Sequence, residues 1–298
     1  MTPPGADRLR IGVAGWSYPD WRGTIYPLRR PAKFSELRFA ARLFDCLEIN
    51  STFYRLPEAR LAEGWLRQVE DIPGFVFTAK LFRELTHGRP TAESIRELCR
   101  TFREGLSPLV ESERLGCVLI QFPWTFEDGP ESRELLERLA ESLGPLPLTV
   151  ELRHRSFLDR DTGGGLPFLG RLGLGFVNID LPRSRTSPPP SCINTTPVGY
   201  YRLHGRNTAA WFDPKADRDS KYSYLYSLSE LRELMEPVQE LARRTQVTYV
   251  ITNNHFRGQA AANALQLIQL AGRTPSRIPE TLQSEFPFLV AADRTEAS

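Results

Sequence analysis

The chain has 298 residues, 41% hydrophobic and 25% charged, which excludes a disordered or fibrous polypeptide and leaves enough apolar residues for a well-buried core. A formal net charge of +2 is too small to imply a nucleic-acid or membrane partner by itself. No run approaches the roughly 18 consecutive apolar residues of a membrane span, so no membrane partner is expected.

The N-terminal residues MTPPGADRLR lack the apolar stretch of a signal peptide. Cys46, Cys99, Cys117 and Cys192 form no CxxC pair, so no zinc or redox motif is visible. Cys46 and Cys117 fall inside apolar runs and read as small core residues. A reducing, cytoplasmic setting is the expectation.

Eight short apolar runs recur, at 11–14, 46–49, 75–79, 117–122, 148–152, 175–179, 198–203 and 247–251. A polar-aromatic loop, GWSYPDWRGTIYPLRRPAK, follows the first. Helical spacing then appears over 34–44, with Ser35 as a candidate N-cap, and again over 58–69, 91–110, 131–142 and 166–172. The sixth connection, 181–197, is Pro-rich and reads as an extended loop where a helix would stand. The seventh, 205–227, is long and carries Trp211, Tyr222, Tyr224 and Tyr226, as lids and binding loops do. Helices follow at 229–244 and 259–270. The tail over 272–298 contains Phe286-Pro287-Phe288-Leu289 and is expected to plug the barrel bottom or pack on its side.

Eight strands alternating with helix-sized segments predict a single (β/α)8 barrel domain of the TIM type over 1–298. The helix between strands six and seven is replaced by the Pro-rich loop. Such a barrel keeps its active site at the carboxyl ends of its strands. Alternate residues of a strand share a face, so five pairs are expected to point into the mouth together. They are Glu48 with Asn50, Thr78 with Lys80, Glu151 with Arg153, Asn178 with Asp180, and Arg202 with His204.

Two readings compete for these pairs. One is an internal ion-pair network, in which Glu48 and Glu151 neutralise Lys80, Arg153 and Arg202. The other is a site, because barrel interiors are normally filled by branched apolar side chains. In the second, Glu48 and Glu151 face each other across the mouth with room for a substrate, and serve as acid and base. His204 and His154 assist in proton transfer. Lys80, Arg153 and Arg202 hold an anion, and Asn50, Gln121, Asn253 and Asn254 add polar contacts. Trp16, Tyr18 and Tyr54 offer faces for a ring. All four histidines, His87, His154, His204 and His255, fall at or just beyond strand ends. The turn at Gly258 opens a helix whose free N–H groups either bind an anion or simply start the helix.

No cofactor is expected. The chain has no HxH after the first strand and no HExxH, and a divalent metal held by the glutamates is the weaker alternative. GxGxxG, GxxxxGK[ST] and GxSxG are also absent.

Seven segments in order carry a resemblance: GWSYPDWRGTIYP, EINSTFYRLP, FTAK followed by THG, LIQFPWTF, VELRHRSF, YYRLHGRN and NNHFRGQAAANAL. Together they resemble the motifs of the YecE-like family, the domain of unknown function 72, over about 11–270. The resemblance implies a TIM-barrel-like fold and supplies no activity.

Three functions therefore compete. The first is an enzyme acting on a small, anionic, ring-containing substrate, with phosphoester or glycoside hydrolysis foremost and isomerase or lyase chemistry open. The second is nucleic-acid binding or processing, from Arg and Lys interleaved with aromatics over 16–33 and 206–226. The third is a metabolite-binding barrel without turnover. Nothing in the sequence fixes the number of subunits.

Overall fold

Each apolar run forms a strand, and each strand pairs in parallel with the next until the last returns to the first. The computed structural model describes residues 8–159, 164–275 and 277–289. The strands are β1 (Leu9–Ala14), β2 (Cys46–Ile49), β3 (Val76–Lys80), β4 (Leu115–Gln121), β5 (Leu148–Glu151), β6 (Leu174–Asp180), β7 (Val198–Leu203) and β8 (Val247–Thr252). They close a TIM-like barrel in sequence order, as expected from the alternation of strands and helices.

The two faces of each strand serve different cores. Ile11, Val13, Leu47, Ile49, Phe77, Val118, Ile120 and Val150 point outward and pack under the helices. Ala14, Cys46, Cys117, Leu119, Val177, Ile179, Tyr200, Tyr249 and Ile251 fill the interior as a separate cluster. β4 has one extra residue against β3 at Gly116, because Phe77 pairs with Leu115 and Thr78 with Cys117. A Cβ at Gly116 would sit 2.1 Å from the Tyr249 hydroxyl, so glycine there makes room for a large inward ring. All four cysteines are free, and Cys46 and Cys117 are buried in the interior as small apolar residues.

The outer helices follow the apolar spacing. Ala92–Glu111 buries Ile95, Cys99, Phe102, Leu106 and Leu109 on one face, and Thr91 caps it by accepting from Ser94 N–H. Each such side chain contributes about 1.5–3 kcal/mol relative to an exposed one. The first helix is shorter than its apolar spacing suggests, Glu36–Ala41, and Ser35 caps it by accepting from Arg38 N–H. Among the described residues, the connection from β6 to β7 contains no helix.

That connection is tied down by Asn178. Its Oδ1 accepts from Ile193 N–H and the Ser191 hydroxyl, and its Nδ2 donates to the carbonyls of Ile193 and Tyr200. Asn178 therefore faces outward, on the opposite face from inward Val177 and Ile179. Asp180 shares that outward face and takes up Arg206 and the Tyr226 hydroxyl. The expectation that Asn178 and Asp180 enter the mouth is thus overturned by strand parity.

The described part of the tail packs on the side of the barrel. Leu282, Phe286 and Leu289 are buried in the outer core, and Thr281 donates to the Thr24 carbonyl. Residues 290–298, the rest of the expected tail, lie outside the described residues.

Candidate active site

Inward side chains at the carboxyl ends of the strands build the mouth in two layers. The lower layer is a buried ion-pair cluster. Arg202 (β7) donates from Nη1 to Glu151 Oε2 (β5) at 2.5 Å and from Nη2 to Glu48 Oε1 (β2) at 2.7 Å. Glu48 Oε2 accepts from the Tyr200 hydroxyl at 2.8 Å. That hydroxyl has one proton, so Thr78 Oγ1, 3.0 Å away, donates to it in turn. Glu151 Oε1 accepts from Arg153 Nε at 2.7 Å.

These contacts fix the protonation states. Burial alone would raise Glu151, but Arg202, Arg153 and His204 outweigh it and hold its carboxyl well below the usual range. Burial alone would lower Arg202, but Glu151 and Glu48 hold it cationic. His204 lies beside this cluster and is brought down to about 3, chiefly by burial, against the opposing pull of Glu151. Its Nδ1 accepts from Asn253 Nδ2 at 3.0 Å, which leaves the ring proton of the neutral form on Nε2. That Nε2 stands 3.3 Å from Glu151 Oε1.

The expected gap between the two glutamates is filled by Arg202. Neither carboxylate lines the cavity above, and both are fully buried. An internal ion-pair network is therefore present, with one expected member missing. Lys80 does not join it.

The upper layer is a cavity of about 400 Å³. Lys80, Arg153 and Arg202 form its cationic floor, and Asn50 and Asn253 add amides. Trp16 and Tyr18 arrive from the loop after β1, and Phe53 and Tyr54 from the loop after β2. Tyr222 and Arg218 reach in from the long connection after β7, and His255 from the turn after β8. The His255 ring lies between Tyr18 and Tyr222, with centroids 4.6 and 5.4 Å away. Burial and the Arg218 charge bring His255 down to about 4. Its Nδ1 is buried and unpartnered, as is Arg202 Nε.

Lys80 is the unusual cation of this floor. Its Nζ stands 3.8 Å from the centroid of the Phe53 ring. Among the described residues it has no ion-pair partner. Burial, then repulsion from Arg202 and Arg153, brings the amine down to about 7, against the opposing attraction of Glu151 and Glu48. The residue as a whole keeps some exposure and lines the cavity.

Several residues expected at the mouth stand elsewhere. His154 points outward, where its Nδ1 meets the hydroxyl and N–H of Ser156 and caps a short turn. Asn254 faces away from the barrel, donating to the Tyr224 carbonyl and to Asn263 Oδ1. Gln121 is buried at the end of β4 and donates to the Phe122 carbonyl, outside the cavity lining. His87 bonds Thr86 through Nδ1 and borders an adjoining hollow. The helix start at Gly258, whose φ is +82°, packs on Ile25 and Leu282 and does not open on the cavity.

Phe53, Tyr222, His255 and Arg218 also line the cavity, and of these only Arg218 is not singled out by the sequence. The first three carried a signal, as aromatics and a histidine just beyond strand ends. Arg218 carried only its place in the long seventh connection. Two basic residues of that connection are already engaged, Arg206 with Asp180 and Glu230, and Arg218 with Asp219. Among the described residues, no group of three His, Cys, Asp or Glu side chains is placed to hold a metal ion. No helix among them is long and apolar enough to cross a membrane.

Fold and site together define a closed parallel α/β barrel of the TIM type with a cationic, aromatic-walled cavity at its C-terminal mouth. The profile of the protein family of unknown function DUF72 matches residues 10–286, and the chain belongs to that family. The UPF0759 protein YunF of Bacillus subtilis is 28% identical over 271 residues, which cover 88% of this chain and 94% of YunF. A DUF72 protein from Thermotoga maritima has the same fold, with a TM-score of 0.76, 35% identity and coverage of 89% of this chain and 99% of that one. Another from Enterococcus faecalis superposes with a TM-score of 0.79 at 26% identity, covering 91% and 100%.

Proposed function

We propose that this chain is an enzyme acting on a small, anionic, ring-containing ligand at the barrel mouth. One observation carries the reading: Lys80 and Arg153 line the same cavity, whose walls are aromatic. Arg153 binds Glu151 through Nε and leaves its two Nη groups for a bidentate anion contact. Tyr18, His255 and Tyr222 line the same cavity as a row of neighbouring rings. A volume of about 400 Å³ suits a metabolite.

Lys80 is the proton-moving group in this reading, because an amine near 7 exchanges protons readily at neutral pH. Glu48 and Glu151 set the field that holds Arg202 and Arg153 in place. Hydrolysis by a pair of glutamates is the less favoured form, since both carboxylates lie beneath the floor.

The test is ligand-induced thermal stabilisation of the wild type and of Arg153→Ala. The panel holds inorganic phosphate, phosphorylated sugars, nucleotides and short oligonucleotides. Saturable stabilisation by small ring-bearing anions, lost in the variant, is the expected result. Stabilisation by oligonucleotides alone, fading with salt, would overturn the reading in favour of nucleic acid.

A further inference from the structure

We infer that Lys80 Nζ is a nucleophile that condenses with the carbonyl of a small anionic aldehyde or ketone to form an imine. The inference rests on the anion-binding reading above and names its substrate class.

Composition supplies the first argument. The chain has four lysines against thirty-four arginines. Lys33 and Lys215 are exposed and Lys221 is partly so, while Lys80 stands at the end of β3 on the cavity floor. A chain that fills nearly every cationic position with arginine has lysine here. Arginine remains charged and cannot add to a carbonyl, whereas a lysine amine can shed its proton and attack.

Geometry supplies the second. The neighbouring cations Arg153 and Arg202 are held by carboxylates, but Lys80 Nζ has no carboxylate partner among the described residues. It rests instead on the face of Phe53. An amine ion-paired to a carboxylate would be held in its protonated form, with no lone pair to attack a carbonyl. This one is pressed toward neutrality by burial and by the two guanidinium groups, bringing it to about 7. Arg153 can seat the anionic group of the same substrate, which places the carbonyl in the cavity beside Nζ.

The chemistry balances without a co-reactant. The nitrogen lone pair forms the C–N bond as the carbonyl π pair moves to oxygen, which takes up a proton. Nitrogen loses a proton to solvent, the hydroxyl takes up a second proton from solvent, and the nitrogen lone pair then expels it as water. The product is a protonated imine on Nζ, and water is the only leaving group. The cation would then withdraw electrons from the adjacent carbon, as aldol, decarboxylation and dehydration chemistry require.

The experiment traps this adduct on the full chain. Pyridoxal 5′-phosphate serves as an aromatic aldehyde probe carrying a phosphate, followed by borohydride and peptide mapping. Saturable labelling of Lys80, at least about tenfold faster than that of Lys33, Lys215 or Lys221, is expected at pH 7. The rate should rise with pH through about 7, fall at least tenfold in Arg153→Ala, and be suppressed by inorganic phosphate. Mapping reads the wild type directly, so the result does not depend on a Lys80 variant folding. Equal labelling of all four lysines, or an unlabelled Lys80, overturns the inference. If phosphate still stabilises the wild type and not Arg153→Ala, the anion site stands and only the imine fails. If phosphate has no such effect, both readings fall together.

Discussion

Glu48 and Glu151, carried by strands on opposite sides of the barrel, are joined by the guanidinium of Arg202, one carboxylate on each of its Nη atoms. The barrel centre is thereby closed by a planar charge-assisted bridge that fixes both carboxylates and orients Arg153 through Glu151.

Removing that bridge leaves two buried carboxylates facing each other, Glu48 without its cation and Glu151 held by Arg153 alone. Arg202→Met is expected to lower stability by about 3–5 kcal/mol, the range for breaking a buried ion pair from one side. Replacing both glutamates by glutamine on the same background should recover a large part of the loss. Urea unfolding reads both, as a shift in midpoint at unchanged slope. A midpoint for Arg202→Met equal to that of the wild type would show that the bridge contributes no net stability.

Stability is also expected to decline in mild acid. His204 and His255 sit at about 3 and about 4 in the folded chain, below the unfolded value of about 6.5. The unfolded state therefore binds more protons in that window, and stability falls as pH drops from about 6.5 toward 4. Glu151 acts in the same direction lower down, because its held carboxylate favours folding only above its folded value. Each buried histidine adds a limiting slope of about 1.4 kcal/mol per pH unit. His204→Gln should reduce the slope between pH 6 and 4 by about one such increment. An unchanged slope would mean that His204 does not titrate on unfolding.

Lys80 works against the fold in its charged form. Its folded value of about 7 lies below the unfolded value of about 10.4, so its contribution to stability rises with pH across that interval. Lys80→Met removes the repulsion with Arg153 and Arg202. It should raise stability at pH 7 by about 1 kcal/mol, discounted for the residue's partial exposure. It should also flatten the profile between pH 7 and 10, which chemical denaturation at several pH values measures. A less stable variant would show that the contact of Nζ with the Phe53 ring contributes more than the charge costs.

Strand count, order and most of the inward positions were legible because a strand has a period of two. Lys80, Arg153 and Arg202 follow apolar runs whose parity fixes their face. β6 offers no such guide, since it is apolar on both faces, with Phe176 outside and Val177 inside. Asn178 and Asp180 were therefore misplaced. Asn253 and Asn254 are neighbours in sequence and face opposite ways, one to His204 and one to Asn263. The bridging of Glu48 and Glu151 by Arg202 depends on distances across the barrel, which no linear spacing encodes.

The outward Asn178 gives the last expectation. It replaces a helix as the fastening of the β6–β7 connection, and its side chain makes four hydrogen bonds, two accepted and two donated. Asn178→Ala removes all four of these hydrogen bonds and should cost about 1–3 kcal/mol. Asn178→Asp keeps both acceptors but loses both donors, and places a carboxylate beside the carbonyls of Ile193 and Tyr200. At pH 7 it should be the more damaging change, despite its closer shape. Its deficit relative to alanine should shrink as pH falls, because a protonated carboxyl regains one donor. Unfolding of the two variants at pH 7 and pH 5 tests this, and parallel behaviour at both would show that the connection holds without Asn178. Neither change should alter labelling of Lys80, since Asn178 lies on the outer face of the barrel wall.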